Sequence, residues 1–306
     1  MKSVLVPLDG STHAMAALPV ARALAKQHDA SLRVLHVGAT QLPLQSLVTT
    51  LGLTPDDVQG IVLEQTTGDP AERIVQAARD WQSELIVMCT RTHLGHPRGR
   101  LGDVAEHVLL HAPCPVVLVR PERGRVPWDL RRIVVPHDGT PGTAAALHSA
   151  IELAERSQAD LDMLHVPTLD LPDAPDTVTA PLYVDQPQHE WPMWAREFVE
   201  RTQGLCGHTF SIRPRIFLRR GTPESEILRF TSEREGDLLV LAWHGHLGPN
   251  RAKVLKRAFE EAPCPILVLR VDQSDSDETN ATRSESDRVS LDPASPEILF
   301  DGGLIP

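Results

Sequence analysis

Tyrosine occurs once in the 306 residues, and aromatic side chains make up only 4% of them. That is too few for the stacking platforms on which proteins hold single-stranded nucleic acid. Basic surplus is lacking too: the formal net charge is −11, and no cluster of Lys and Arg forms a nucleic-acid footprint. The four cysteines, Cys89, Cys114, Cys206 and Cys264, lie far apart and make no C-x-x-C pair. Such spacing argues against a zinc knuckle or redox dithiol and fits reduced thiols in a cytosol. No apolar run approaches the roughly 18 residues that a membrane span needs. The apolar stretch before Asp9 is too short for a secretory signal. Walker A, G-x-S-x-G and Ser-His-Asp patterns are all absent. These absences point to a cytoplasmic protein with no nucleic-acid or membrane partner.

What is present is ordinary globular material, 41% hydrophobic and 23% charged, with a length that suggests two domains. The negative charge is uneven. From Asp272 onward there are nine Asp/Glu and two Arg, a net of −7, which leaves −4 for the rest. Residues 272–306 therefore read as an acidic disordered tail. Its end, Ile298-Leu299-Phe300 and Leu304-Ile305, is apolar enough to engage a protein partner.

The body is a tandem repeat, the feature to seek first in any chain. Val6-Pro7-Leu8-Asp9-Gly10 returns as Val135-Pro136-His137-Asp138-Gly139, and Leu35-His36-Val37 as Leu164-His165-Val166, both displaced by 129. Gly68-Asp69-Pro70 matches Gly221-Thr222-Pro223, and the run from Glu84 to Met88 matches that from Asp237 to Leu241, both at 153. Ala112-Pro113-Cys114-Pro115 returns unchanged from Ala262, at 150. The second copy has thus gained 24 residues in its middle and lost three before its last helix. Domains are expected at 1–121 and 131–271, with a linker at 122–130 and a Pro-rich insertion at about 167–192 leading to a helix near 194–202.

Each copy alternates strand and helix signals. Ser3–Leu8 and Arg132–His137 are short apolar runs that end in Asp-Gly, as buried parallel strands do. Second strands are expected at Leu32–Val37 and Leu161–Val166. Ser11 or Thr12 can cap the next helix, where Pro19 should introduce a kink, and Thr140-Pro141 opens its counterpart. Asp69-Pro70-Ala71-Glu72 has the form of a capping box before a helix to about Asp80. Leu85–Cys89 is a further strand; a helix near Val104–Leu110 and a last strand at Pro115–Val119 complete the copy. Alternation of this kind implies a parallel sheet covered on both faces.

The endings V-P-x-D-G and L-H-V, the G-D-P helix start, and Gly102-Asp103-Val104-Ala105-Glu106 through Ala112-Pro113-Cys114-Pro115 resemble the universal stress protein family. The likeness covers about 2–120 and again 132–270. It implies two flavodoxin-like (Rossmann-like) doubly wound, five-stranded parallel sheets in tandem, an α/β fold whose ligands lie beyond the strands' carboxyl ends. It also implies that the copies pair through their last strands as an intramolecular pseudo-dimer. Some family members bind ATP. In those, the residues corresponding to Asp9 and Val37, and to Asp138 and Val166, face the adenosine, so ATP or ADP is the expected cofactor.

The phosphate loop of binders is similar to G-x-x-G-x9-G-[S/T], where small residues let backbone N–H groups approach phosphates. The first copy reads Cys89-x-x-Thr92-x9-Gly102-Asp103, so Gly102 alone survives. Asp103 is expected to N-cap the last helix with Glu106 at N3, filling the anion site with its carboxylate. Arg91, Arg98 and Arg100 offset that charge in part. The second copy reads Ala242-Trp243-His244-Gly245 and reaches Ala252-Lys253 three residues sooner. Gly245 keeps the glycine there, and Arg251, Lys253, Lys256 and Arg257 crowd the helix start, where the dipole disfavours cations unless an anion or a neighbouring carboxylate answers them. His93, His96, His244 and His246 read as loop histidines, His107 and His111 as an i,i+4 pair spaced for a metal, and Cys89 as a thiol with no base in view. The reading is a non-catalytic, stress-response ligand-sensing or interaction module with a degenerate adenine-nucleotide site. Its alternatives are a scaffold that has lost nucleotide binding, or a slow ATPase.

Overall fold

Strand β1 (Ser3–Pro7) is buried on both sides. Val4 and Val6 enter one apolar core and Leu5 the other, the period-two alternation of a sheet covered on both faces. In the computed structural model, residues 2–90, 101–121, 127–138, 141–166, 212, 214–219, 221–245 and 252–271 are described. The loop residues Arg91, Thr92, His93, His96, Arg98, Arg100, His246 and Arg251, the Thr140 cap, the insertion at 167–192, the helix near 194–202, most of the linker and the tail lie outside them.

From β1 the chain makes a 3-10 turn (Ala14–Ala16) and helix α1 (Ala17–Gln27), then β2 (Ser31–Gly38). Ser11 Oγ accepts the Ala14 N–H at 3.1 Å at the entry to the 3-10 turn. It does not cap α1, whose N-cap residue is Ala16 with no side-chain cap, because the 3-10 turn intervenes. Pro19 causes no kink in mid-helix. The α-helix starts at Ala17, which leaves Pro19 in the first turn, where no donor is required. Helices α2 (Leu44–Thr50) and α3 (Pro55–Val58) come next, and then β3 (Ile61–Thr67). Helix α4 (Pro70–Asp80) is capped by Asp69, whose carboxylate accepts the Glu72 N–H at 3.0 Å. Strand β4 (Ser83–Cys89), helix α5 (Asp103–His111) and β5 (Val116–Val119) end the first copy.

The second copy repeats the order with β6 (Arg132–Pro136), α6 (Pro141–Ser157), β7 (Asp160–His165), β8 (Arg215–Leu218), α7 (Pro223–Glu233), β9 (Leu238–Trp243), α8 (Lys253–Glu261) and β10 (Ile266–Arg270). All ten strands form one sheet in the order β3-β2-β1-β4-β5-β10-β9-β6-β7-β8. Within each half every pairing is parallel. The halves meet where β5 and β10 run antiparallel, with Val117 opposite Leu267. Helix C-termini answer each other across this seam. Arg120 Nη1 donates to the Ala262 carbonyl at 3.3 Å, and Arg270 Nη1, at the equivalent position, donates to the Leu110 carbonyl. A cation at the negative end of a helix dipole is favourable.

Each half has the strand order 3-2-1-4-5, so its chain reverses direction of travel between β1 and β4. In doubly wound sheets ligands bind at that switch point, beyond the carboxyl ends of the strands.

Candidate functional site

In the first copy the carboxyl end of β1 turns sharply at Asp9-Gly10. Asp9 Oδ1 accepts the Ser11 N–H at 2.8 Å and fixes the turn. Gly10 adopts φ +89, and a Cβ there would sit 2.8 Å from the Thr50 carbonyl oxygen at the end of α2, so the close approach requires glycine. At the end of β2, His36 Nδ1 lies 2.9 Å from the Leu8 carbonyl oxygen. A carbonyl only accepts, so Nδ1 carries the proton and the ring ties the β2 end to the β1 end.

Beyond β4, Thr90 is 1% exposed and its Oγ1 has no hydrogen-bond partner among the described residues. The Thr90 carbonyl accepts the Gly102 N–H at 3.1 Å. A Cβ on Gly102 would come within 3.3 Å of that same oxygen. The helix start therefore lies tight on the strand end because residue 102 has no side chain.

These ends enclose a cavity of about 300 Å³. Asp9, Val37 and Gly102, named from the sequence, all line it, together with Leu35, Ile74, Met88, Thr90 and Asp103. Thr90 went unnamed, although its sequence signal was plain: it is the first residue beyond an apolar strand that aims at the switch point.

Asp103 does not cap α5. Gly102 is the N-cap residue, with φ −66 and ψ 148 and no side-chain cap, and Asp103 is the first helical residue. The Glu106 N–H bonds to the Gly102 carbonyl at 2.9 Å, which moves Glu106 one place past the expected N3. The reason is local. With the Gly102 N–H held by Thr90, residue 102 takes the extended geometry that precedes a helix. Asp103 nevertheless lies in the first turn, where its carboxylate complements the helix dipole, and it is among the residues that line the cavity.

The second copy keeps this frame with other side chains. Asp138 Oδ1 accepts a hydrogen bond from Thr143 Oγ1 at 2.7 Å. His165 Nδ1 donates to the His137 carbonyl at 2.8 Å, repeating the His36 contact. Val166 is half-buried beyond β7, and Gly245 adopts φ +81 next to the end of β10. At the positions that line the first cavity, Leu8 is replaced by His137, Ala14 by Thr143, Thr90 by Trp243, Gly102 by Ala252 and Ala105 by Leu255. Trp243 and Leu255, each 3% exposed, are buried in one apolar cluster with Leu164, Ile227 and Leu241. Those three are the counterparts of cavity-wall residues Leu35, Ile74 and Met88. His137 is 2% exposed, and burial pushes its pKa down to about 4, against which Asp138 pulls upward. Burial likewise lowers that of His165.

Of the cations at the start of α8, Arg257 finds ordinary partners. Arg257 Nε donates to Glu261 at 3.1 Å and Nη1 to Ser225 Oγ at 3.3 Å. Ala252, the N-cap residue, is held at φ +55, a left-handed conformation that costs an alanine about 1 kcal/mol. His107 and His111 stack with ring centroids 4.2 Å apart, but His111 Nδ1 donates to the His107 carbonyl. Among the described residues no group of three His, Cys, Asp or Glu is placed to hold a metal ion. Cys89 is buried in the cavity wall, and burial raises the Cys114 thiol to about 12. No described helix is long and apolar enough to cross a membrane.

Comparison with known proteins agrees with this geometry. The universal stress protein family model matches residues 1–53, 52–120 and 129–270. A universal stress protein of Thermus aquaticus is 33% identical over 141 residues, which covers 98% of that protein and 39% of this chain. A universal stress protein structure from Archaeoglobus fulgidus covers 88% of this chain and 98% of its own, with a TM-score of 0.56 at 17% identity. A putative universal stress protein structure from Pseudomonas aeruginosa covers 88% and 92%, with a TM-score of 0.61 at 16% identity. The single-copy relative spans one repeat and the two structures match the tandem fold; with family matches over both repeats, this chain belongs to the universal stress protein family.

Proposed function

We propose that this chain is a non-catalytic, stress-response ligand sensor with one working adenine-nucleotide site per chain, in the first copy. The observation that carries the reading is the cavity at the carboxyl ends of β1, β2 and β4, which gathers Asp9, Val37 and Gly102 at the switch point. Family membership gives the ligand class. The second copy serves as a structural partner: its larger Thr143, Trp243 and Leu255 side chains occupy the corresponding wall, and its role is to complete the sheet through β10. A catalytic role has little support, because the described cavity wall supplies neither a positioned base for water nor a metal-binding cluster.

Calorimetric titration of the full chain with ATP, ADP and AMP, with and without magnesium, tests this. One saturable site, weakened by Asp9→Ala and indifferent to Asp138→Ala, is the expected result. Two equal sites, or loss on Asp138→Ala alone, would assign the ligand to the second copy instead. No heat and no thermal stabilisation at millimolar nucleotide would leave the chain a protein-interaction scaffold, with the acidic tail as the place to look for its partner. Phosphate release by the purified chain would overturn the non-catalytic part.

A further inference from the structure

Away from the switch point, a second cavity of about 270 Å³ lies on the α1/α6 face of the sheet, over the antiparallel seam between the copies. It shares no lining residue with the first-copy cavity. Its apolar lining comes from equivalent side chains of both copies. Leu24 and Leu153, Leu85 and Leu238, and Val117 and Leu267 are related by the repeat displacements of 129, 153 and 150. Charged side chains of both signs complete it: Lys2 and Glu84 from the first copy, Glu152 and Arg156 from α6 of the second. We propose that this seam cavity binds a free α-amino acid with an aliphatic side chain, its carboxylate on Arg156 and its ammonium on Glu152. The site is independent of the adenine-nucleotide reading.

Glu152 and Arg156 stand one helical turn apart, the i,i+4 spacing at which such side chains pair on a helix surface. Here that pair is not formed. Arg156 Nη1 instead crosses the seam and donates to Nδ1 of His28, the C-cap residue of α1, at 3.2 Å. Glu152 has the His148 imidazole at 3.5 Å on its own helix, while Lys2 and Glu84 answer each other at 2.9 Å. His28 Nδ1 also lies 3.7 Å from Glu84, but burial first and Arg156 next lower its pKa and keep the ring neutral. The two α6 charges are thus held apart beside an apolar space. A ligand with one charge gains at one of them and loses at the other, whereas a zwitterion gains at both. Ammonium and carboxylate on one carbon are the head of an α-amino acid, and the leucine and valine lining suits an aliphatic side chain. The volume lies below the roughly 300–1,000 Å³ of drug-sized ligand sites, which favours so small an occupant.

The test is calorimetry on the full chain with leucine and three part-ligands: glycine, 4-methylpentanoate and 3-methylbutylamine, which lack the side chain, the ammonium and the carboxylate. Leucine should saturate one site per chain, and each part-ligand should bind at least about tenfold more weakly. Arg156→Gln and Glu152→Gln, both at exposed positions, should each weaken leucine about tenfold. Glu152→Gln should at the same time tighten 4-methylpentanoate, a gain that a merely structural Glu152 would not produce. Ser149→Phe, at the cavity wall, should block leucine; Ser149→Leu serves if the phenylalanine variant is unstable. A part-ligand that equals leucine, or leucine binding unmoved by both glutamine variants, overturns the zwitterion assignment. Binding indifferent to the Ser149 variants, or no heat and no thermal stabilisation at millimolar leucine, overturns the site. Each of these results leaves the nucleotide site standing, because Asp9→Ala reads that site separately and should leave leucine binding unchanged.

Discussion

At the carboxyl end of β4 the first copy has Thr90, and at the equivalent end of β9 the second has Trp243; both are almost fully buried. Around the first lies a cavity of about 300 Å³. At the second, Trp243 and Leu255 are each 3% exposed, in the same apolar cluster that holds Leu35, Ile74 and Met88 of the first copy. The backbone frame is shared, down to the histidine that ties the second strand to the first in each half. One fold can therefore carry small or large side chains at the same address, and those volumes govern the room left there, because interiors tolerate few voids.

The comparison can be broken by moving the tryptophan. Thr90→Trp should abolish adenine-ligand binding, a loss of ~100-fold or more read by calorimetry, while overpacking costs about 1–3 kcal/mol of stability. Unchanged binding would show that the ligand lies elsewhere. In the reverse direction, Trp243→Ala should destabilise the protein by about 3–5 kcal/mol in urea unfolding. A loss below about 1 kcal/mol would mean that Trp243 is poorly packed.

The two copies should also differ in their response to pH. The His137 pKa falls from 6.5 unfolded to about 4 folded, so the unfolded chain binds the proton more readily. Its contribution is fully present above pH 6.5 and is lost as pH falls towards 4, roughly 3 kcal/mol in all, with His165 adding in the same direction. His137→Leu, which installs the residue of the first copy, should flatten the stability profile over that window. An unchanged acid slope would point to other groups. The smallest effect is at Ala252, where glycine relieves the left-handed strain: Ala252→Gly should raise stability by about 1 kcal/mol, and a fall in the urea midpoint would refute the strain.

Much of this was legible in the sequence. The repeat displacements and the two Asp-Gly endings placed β1 and β6, and the Asp69-Pro70 start placed α4, because each depends on local chemistry. Edge strands β3 and β8 escaped notice. Ile61–Thr67 is only half-buried and ends in polar residues, so its apolar run stops at the three residues Ile61-Val62-Leu63. The short helices α2 and α3 did too, although Thr54 and Asp57 form a capping box. Asp9, Val37 and Gly102, named from the strand endings and the loop pattern, line one cavity. Asp103 was misplaced by one helical position, since only the Gly102–Thr90 contact decides where α5 begins.

The sequence by itself determined that this protein is two copies of a parallel α/β unit with a conserved order of strand endings, since periodicity, turn residues and caps are local properties of the chain. Only the tertiary structure decided that Asp9, Val37, Thr90 and Gly102 line one cavity in the first copy, that Trp243 and Leu255 are buried at the equivalent positions of the second, and that the halves share one sheet. Those outcomes depend on which side chains from distant segments reach the same volume, and no local pattern records that.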